Sequence, residues 1–176
     1  MKTKTVTIFG SSLPKPGEPE YEDAYKIGKI LGSEGFNVCS GGFMGIMDAV
    51  SKGVTEAGKE AIGITVPLFN STPSKYLTKE VKCETLFHRI DTLVAYGDAF
   101  IVLPGGTGTL LELSIVWELF NKKVLDKKPV ACFGDMWKNI VDIMEQRVKY
   151  ENRKQNLVKC FNNIDEVSDF VITNLT

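Results

Sequence analysis

Residues 99–112 read AFIVLPGGTGTLLE, and this stretch contains a strand, a turn and the start of a helix. Residues 99–103 are apolar throughout, which is typical of a strand buried on both faces of a parallel sheet. A Pro-Gly-Gly turn follows, and from Thr109 onward apolar residues recur at helical spacing. A buried strand that leads directly into a helix is a building unit of α/β folds.

The same alternation of short apolar runs and amphipathic stretches extends over the rest of the chain. The predicted strands are 5–9, 36–39, 61–66, 81–84, 99–103 and 130–133. The predicted helices are 20–34, 45–57, 87–96, one that begins at Thr109, 137–148 and 165–174. No linker, repeat or low-complexity tract divides them, so residues 1–176 are predicted to form one doubly wound α/β domain with a mainly parallel sheet flanked by helices.

Composition excludes several classes of protein. The 176 residues suit one domain, and 43% hydrophobic with 24% charged residues is ordinary globular usage. With 21 basic and 22 acidic residues the net charge is −1, so no basic surface for nucleic acid or anionic lipid is expected. No apolar stretch approaches the roughly 18 residues of a membrane span, and the start of the chain leads directly into a strand. We therefore expect a soluble cytoplasmic protein that binds neither nucleic acid nor membranes.

The cysteine and histidine content predicts no metal site. The four cysteines are widely spaced and form no CxxC pair, so we interpret them as reduced core residues; they are Cys39, Cys83, Cys132 and Cys160. His88 is the single histidine, which makes a structural zinc site unlikely to form from His and Cys ligands. A packed or capped His88 is the expected alternative to a catalytic base.

Three predicted strand-to-helix loops are rich in small residues: residues 10–12 (GSS), 40–45 (SGGFMG) and 104–109 (PGGTGT). Glycine allows positive φ and lets backbone N–H groups approach a ligand closely, and a following helix N-terminus attracts anions. These loops therefore predict a phosphate site at the carboxyl ends of the strands. The candidate phosphate-binding residues are Gly10, Ser11, Gly41, Gly42, Gly105, Gly106, Thr107, Gly108 and Thr109.

The common nucleotide fingerprints are absent. The chain has no GxxxxGKS or GxxxxGKT sequence, which excludes a P-loop nucleotidase, and the first strand-to-helix turn lacks GxGxxG. Residues 106–111 lack the third glycine of a dinucleotide-binding turn, which disfavours NAD-dependent oxidoreduction. The alternative for residues 104–109 is a turn with a purely structural role.

Glu112 and Arg89 are the candidate catalytic residues, and each has a structural alternative. Glu112 follows Thr109 by three residues, so the pair fits a capping box as well as a carboxylate next to an anion site. Arg89 offers a planar guanidinium for phosphate or carboxylate, or it is a solvent-facing arginine on an amphipathic helix.

Taken together, these residues resemble the LOG family, the cytokinin-activating nucleoside 5′-monophosphate phosphoribohydrolases formerly called possible lysine decarboxylases. Residues 10–12, the GGFMGIM run at 41–47, Arg89 and residues 104–112, which fit PGGxGTxxE, carry the resemblance. It implies a single Rossmann-like nucleotide-binding domain that assembles as a homodimer or larger homo-oligomer. It also implies hydrolysis of the N-glycosidic bond of AMP or N6-modified AMP, with Glu112 and Arg89 as the catalytic pair, residues 106–109 on the 5′-phosphate, and no metal or organic cofactor.

The chain departs from the family pattern at four places. Ile90 follows Arg89 where the family has lysine, Ser40 replaces a glycine, Asp48 stands where a glycine is usual, and Leu111 replaces the first of two glutamates. Substrate preference is therefore open between cytokinin nucleotides and plain AMP. No lysine in these loops suits a pyridoxal-phosphate Schiff base, which argues against decarboxylation.

Two other functions compete with hydrolysis. The first is a non-catalytic carrier of a nucleotide or of molybdenum cofactor, because proteins that share the PGGxGTxxE loop bind that pterin phosphate. The second is a nucleotide-sensing partner protein.

Overall fold

Seven parallel strands form the central sheet in the computed structural model, which describes residues 3–176. Their spatial order is β4-β3-β2-β1-β5-β6-β7, and every neighbouring pair is parallel. The strands are β1 (Thr5–Phe9), β2 (Asn37–Ser40), β3 (Ala61–Thr65), β4 (Lys79–Lys82), β5 (Ala99–Val102), β6 (Val130–Phe133) and β7 (Lys159–Phe161).

Six α-helices cover the two faces of this sheet within residues 3–176. Helices α1, α2 and α6 contribute to one hydrophobic cluster, and α3, α4 and α5 contribute to the other. The helices are α1 (Pro19–Ser33), α2 (Ile46–Glu56), α3 (Leu86–Tyr96), α4 (Thr107–Asn121), α5 (Asp135–Tyr150) and α6 (Ile164–Leu175), and a short 3-10 turn spans Pro67–Phe69. The result is a three-layer α/β/α arrangement.

The alternation of side chains along the strands explains both cores. In β1, Val6 and Ile8 face the cluster of α1, α2 and α6, while Phe9 belongs to the opposite cluster. Helices α1 and α2 pack closely at Gly28, because this residue has no side chain; a Cβ there would collide with the backbone of Val50. Nearly all apolar residues of the central strands are therefore removed from water, which is the main stabilising term for such a domain.

The order of the strands reverses between β1 and β5. The chain first moves outward from β1 to β4, and it then returns to the other side of β1 and continues through β5 to β7. In open parallel sheets, ligands bind outside the carboxyl ends of the strands at this reversal. Residues 10–12 follow β1, and residues 104–109 follow β5 and include the first turn of α4, so the two glycine-containing sequences meet at the expected position.

The predicted fold is confirmed: the sheet is parallel and doubly wound, and the predicted strands and helices occur in the predicted order. Gly35 and Gly58 have positive φ after α1 and α2, and the Asn163 side chain caps α6, as predicted. Four details were wrong. Strand β4 begins two residues before the predicted 81–84, the short β7 was not predicted, α4 begins at Thr107 instead of Thr109, and α5 extends two residues beyond each end of the predicted 137–148.

Two further expectations concern the surface and the cysteines. Among residues 3–176, no helix is both long enough and apolar enough to cross a membrane. All four cysteines are free thiols; Cys39, Cys83 and Cys132 are buried, and Cys160 is half-buried beside Cys132 in the neighbouring strand.

Candidate functional site

A cavity of about 560 Å³ opens at the reversal of strand order. Its wall combines the end of β1, the loop before α2, the start of α4, the buried Arg89 of α3 and the loop after β3. This volume lies within the usual range for small-molecule sites. The residues that line it are Ile8, Phe9, Gly10, Ser11, Ser12, Leu13, Gly41, Phe43, Met47, Phe69, Ser71, Arg89, Gly106, Thr107, Gly108, Thr109 and Glu112.

Backbone hydrogen bonds connect the three glycine-containing loops. The Ser11 N–H donates to the Pro104 carbonyl at 3.0 Å, and the Ile46 N–H donates to the Ser11 carbonyl at 2.9 Å. Gly45 has φ +68, and a Cβ there would collide with Ser11 and Ser12. The loop after β1 is therefore held between the other two loops, which fixes the floor of the cavity.

The N-terminus of α4 faces this cavity. Gly106 is the N-cap residue, and among residues 3–176 no side chain caps the first turn. The N–H groups of Thr107, Gly108 and Thr109 precede the first intrahelical bond, in which the Leu110 N–H donates to the Gly106 carbonyl at 3.0 Å. Free N–H groups at the positive end of a 15-residue helix form a favourable environment for an anion.

Glu112 lies more than one turn into α4 and lines the cavity. Because the helix begins at Thr107, the carboxylate is too far along to cap it, and the capping-box interpretation is wrong. The side chain is 13% exposed. Burial raises the pKa of Glu112 to about 7, although the nearby Arg89 opposes this rise. A carboxyl group with this pKa can exchange a proton near neutral pH.

Arg89 is buried at 5% exposure, so the interpretation as a solvent-facing arginine is wrong. Its Nε–H donates to the Ile64 carbonyl of β3 at 2.8 Å, and its Nη1 lies 3.6 Å from Glu112 Oε1. Burial lowers the pKa of Arg89, and Glu112 partly offsets that effect. The β3 carbonyl thus fixes the guanidinium beside the carboxylate, with room for a ligand along both groups.

Two aromatic rings border the guanidinium on its other side. The Arg89 Cζ lies 5.9 Å from the ring centroid of Phe43 and 5.3 Å from that of Phe69, and the two rings meet edge to face at 5.9 Å. Gly41 lies against the same guanidinium, where a Cβ would collide with Nη2. The cavity therefore leads from the α4 N-terminus past Glu112 and Arg89 to an aromatic end.

The structure brings together most of the predicted site residues. Gly42 and Gly105 are not among the residues that line the cavity. Gly42, with φ +77, packs on Gly63 of β3, and Gly105 packs on the Thr109 side chain. His88 is exposed, and its backbone N–H donates to the Thr85 hydroxyl that caps α3, so it is capped but not packed. The predicted residues at the cavity are Glu112, Arg89, Gly10, Ser11, Gly41, Gly106, Thr107, Gly108 and Thr109.

Sequence reasoning identified neither Phe43 nor Phe69 as a residue of the cavity. Phe43 lies within the 40–45 loop, whose glycines drew attention instead, and Phe69 and Ser71 lie in the long loop after β3. That loop contains no recognisable motif. We call residues 67–73 the wall segment, since they form this side of the cavity.

The fold and the site together define a Rossmann-like α/β protein with a helix N-terminus and a buried Arg–Glu pair in one cavity. The family model described as "Possible lysine decarboxylase" matches residues 47–173. The chain therefore belongs to this family, the LOG family.

Curated relatives include cytokinin riboside 5′-monophosphate phosphoribohydrolases. One from Arabidopsis thaliana is 34% identical over 147 residues, which cover 76% of this chain and 63% of that protein. One from Oryza sativa subsp. japonica is 33% identical over 133 residues, or 68% of this chain and 51% of that protein. The chain thus spans between half and two thirds of the length of these two relatives. An uncharacterized protein of Archaeoglobus fulgidus is 25% identical over 150 residues, or 85% of this chain and 95% of that protein.

Solved structures with this fold include a molybdenum cofactor binding protein and a molybdenum cofactor carrier protein. The molybdenum cofactor binding protein from Rippkaea orientalis has a TM-score of 0.77 and 22% identity, with 100% of this chain and 99% of that chain covered. The molybdenum cofactor carrier protein from Chlamydomonas reinhardtii has a TM-score of 0.78 and 19% identity, with 99% of both chains covered. At such identity these similarities describe the fold alone.

Proposed function

We propose that this protein hydrolyses the N-glycosidic bond of a nucleoside 5′-monophosphate, AMP or an N6-modified AMP, to give the free base and ribose 5-phosphate. One observation carries the proposal: Glu112 lies 3.6 Å from Arg89 in the same cavity as the free N–H groups of α4. The names of the curated phosphoribohydrolase relatives support the same reaction class.

The phosphate binds at the start of α4 in this proposal. The N–H groups of residues 107–109 and the hydroxyl group of Thr107 donate to its oxygens, and the helix dipole adds to the attraction. Gly10 and Ser11 border the same space. Binding of the phosphate at this end holds the ribose over Glu112. Such positioning lowers the activation barrier, because the reacting groups are already in place and need not meet by diffusion.

Glu112 acts as the carboxylate that faces the anomeric carbon. As the C1′–N bond breaks, its electron pair leaves with the base and positive charge develops on the ribose, which the carboxylate stabilises. A water molecule then forms the new C1′–O bond and transfers a proton to Glu112, which passes it to the departing base. Arg89 lies beside the Glu112 carboxylate, and its positive charge favours the ionised form of Glu112.

A nucleotide panel tests the proposal. Purified protein is incubated with AMP, N6-substituted AMP, other purine and pyrimidine monophosphates, and adenosine, and free base is measured by chromatography. We expect base release from a 5′-monophosphate and little from adenosine, which lacks the phosphate. Absence of free base from every monophosphate would overturn the proposed reaction.

A non-catalytic carrier is the second candidate. Two observations favour it: the molybdenum cofactor proteins align over nearly the whole chain, and Ile90 stands next to Arg89 where a lysine is usual in the family. A carrier would retain a pterin phosphate or a nucleotide through purification. Mass spectrometry of the ligand released from purified protein, together with the nucleotide panel, separates the two candidates.

A homodimer or larger homo-oligomer in the cytoplasm remains part of the proposal. Phe87, Leu110 and Leu111 are exposed at the starts of α3 and α4, which favours a partner on that side. Light scattering after size-exclusion chromatography measures the mass in solution, and a mass of one chain would contradict the expectation.

A further inference from the structure

Asp48 is a buried carboxylate that does not itself line the cavity. It occupies the first turn of α2, where an acidic side chain interacts favourably with the helix dipole, and it is 6% exposed. The reaction proposed above does not use it. Its neighbour in the sequence, Met47, lines the cavity.

Asp48 accepts two short hydrogen bonds from other parts of the fold. Tyr21 of α1 donates its hydroxyl to Oδ2 at 2.6 Å, and Ser74 donates its hydroxyl to Oδ1 at 2.6 Å. Tyr21 and Ser74 are themselves buried, at 3% and 5% exposure. Hydrogen bonds to a charged acceptor are about twice as strong as neutral ones, so this carboxylate is a firm junction between α1, α2 and Ser74.

Ser74 directly follows the wall segment in the chain. Besides its bond to Asp48, its backbone N–H donates to the Gly42 carbonyl at 2.9 Å, and its hydroxyl accepts from the Tyr76 N–H at 3.2 Å. The wall segment is thus fixed at one end by β3 and at the other end by Ser74.

Between these two ends the wall segment packs on the rest of the fold through the Phe69 ring, which lies against Phe43 and Arg89. Within the described chain its hydrogen bonds are local: the Asn70 N–H donates to the Pro67 carbonyl at 2.9 Å, and the Ser71 hydroxyl donates to the Phe69 carbonyl at 3.1 Å. Leu68 is 68% exposed and Phe69 is 44% exposed. Apart from the packing of Phe69 on Phe43 and Arg89, the position of Phe69 and Ser71 at the cavity therefore depends on the anchor at Ser74.

We propose that Asp48 is a positioning residue for base recognition, because its bonds to Tyr21 and Ser74 hold the wall segment where Phe69 and Ser71 meet the base of the nucleotide. This inference rests on the proposed function, which places the phosphate at α4 and the ribose at Glu112. The base then extends to the aromatic end, where an aromatic ring can pack against Phe43 and Phe69.

Calorimetric titration with two ligands tests the inference. AMP contains phosphate, ribose and base, whereas ribose 5-phosphate lacks the base, so the ratio of their affinities reports contacts to the base alone. The titrations use the full chain with Glu112→Gln, which holds AMP without turnover. In this background, Ser74→Ala removes the link from Asp48 to the wall segment and leaves the bond between Tyr21 and Asp48 intact.

We expect Ser74→Ala and Asp48→Ala to weaken AMP binding about tenfold, because both remove the hydrogen bond between Ser74 and Asp48, and to change ribose 5-phosphate binding by less than twofold. Asp48→Asn retains one accepting oxygen and is expected to recover part of the lost AMP affinity. Ser168→Ala is the matched control, because Ser168 is equally buried but donates to the Ile164 carbonyl within α6. It should leave both affinities unchanged.

Three results would overturn the inference. Equal losses for AMP and ribose 5-phosphate would mean a general effect on the fold, and unchanged affinities for both would mean that the anchor does not matter. If the parent protein binds AMP no more tightly than ribose 5-phosphate, the base does not contact the wall segment. The proposed function survives these results, since it fails separately if the parent protein binds neither ligand and the wild-type chain releases no base.

Discussion

The two ends of the cavity are built in different ways. At the α4 end, backbone N–H groups and glycines of short loops form the surface, and backbone hydrogen bonds between the loops hold it. At the aromatic end, Phe43, Phe69 and the wall segment form the surface, and side-chain bonds to Asp48 hold it. The first end suits a group common to all nucleotides, and the second suits the part that differs between them.

This difference predicts which substitutions affect chemistry and which affect selectivity. Changes near α4, Glu112 and Arg89 are expected to lower turnover for every substrate. Changes at the wall segment are expected to alter the affinity for one base relative to another. The predictions below test that division, beginning with the largest effect.

Glu112→Gln is expected to have the largest effect. The amide keeps the size of the side chain but carries no negative charge and accepts no proton, so kcat should fall by about a thousandfold or more. AMP affinity should change by only a few-fold, because the phosphate and base contacts remain. Rapid-quench assays and titration calorimetry measure the two quantities, and a melting temperature near that of the wild type confirms the fold. A variant with wild-type kcat would exclude Glu112 from the reaction.

The pH dependence of kcat should show a similarly large effect. Burial raises the pKa of Glu112 to about 7, and the proposed reaction needs the ionised form. At saturating AMP, kcat should therefore fall about tenfold for each pH unit below 7 and level off above it. The phosphate of the bound nucleotide adds negative charge, which moves the midpoint up if at all. A kcat that is constant from pH 5 to 8, or that falls as pH rises, would contradict this role.

The α4 end could be predicted from the sequence because it depends on local backbone features. Glycines, a strand end and a helix start within residues 104–112 indicate free N–H groups without knowledge of distant contacts. The start of α4 was displaced by two residues because Thr109 is a better N-cap type than Gly106, and the turn geometry overrode that preference.

The edge strands and the aromatic end depend on contacts that are distant in sequence. Strand β4 (KEVK) is mostly exposed and β7 (KCF) has three residues, so neither shows the apolar run that marks the central strands. The burial of Arg89 follows from Gly41 and the Ile64 carbonyl, and the anchor of the wall segment follows from three residues on separate elements. No local pattern contains this information.

Gly41→Ala tests how closely the two ends are coupled through Arg89. A Cβ at Gly41 would collide with the guanidinium, so Arg89 must leave its present position beside Glu112 and Phe43. We expect kcat/KM to fall about tenfold to a hundredfold, the range typical of a misplaced catalytic group. Gly106→Ala is the structural control, because a Cβ there meets nothing within 4 Å and the melting temperature should stay unchanged. Wild-type kcat/KM in Gly41→Ala would show that the position of Arg89 is unimportant.

Phe69→Ala tests the aromatic end directly. Removing the ring should raise KM for AMP about threefold to tenfold and leave kcat nearly unchanged, since the base is bound equally in the ground and transition states. Other 5′-monophosphates should be affected to different extents, which changes the order of preference among bases. Steady-state assays with purine and pyrimidine monophosphates measure this order. An equal loss of kcat for all of them would place Phe69 in the chemical step instead.

The smallest expected effect concerns stability. Because burial raises the pKa of Glu112 from its usual 4.5 to about 7, the folded protein holds the proton more tightly than the unfolded chain. The stabilisation from this group is therefore complete below pH 4.5 and is lost as the pH rises through 7, by up to about 1.4 kcal/mol per pH unit within that window.

Other groups also titrate there, so the measured quantity is the difference between wild type and Glu112→Gln in urea unfolding at pH 5, 6 and 7. The wild type should lose more stability over this range than the variant. Parallel curves would mean that the carboxyl group has the same pKa in both states, which would also remove the physical basis for the kcat profile.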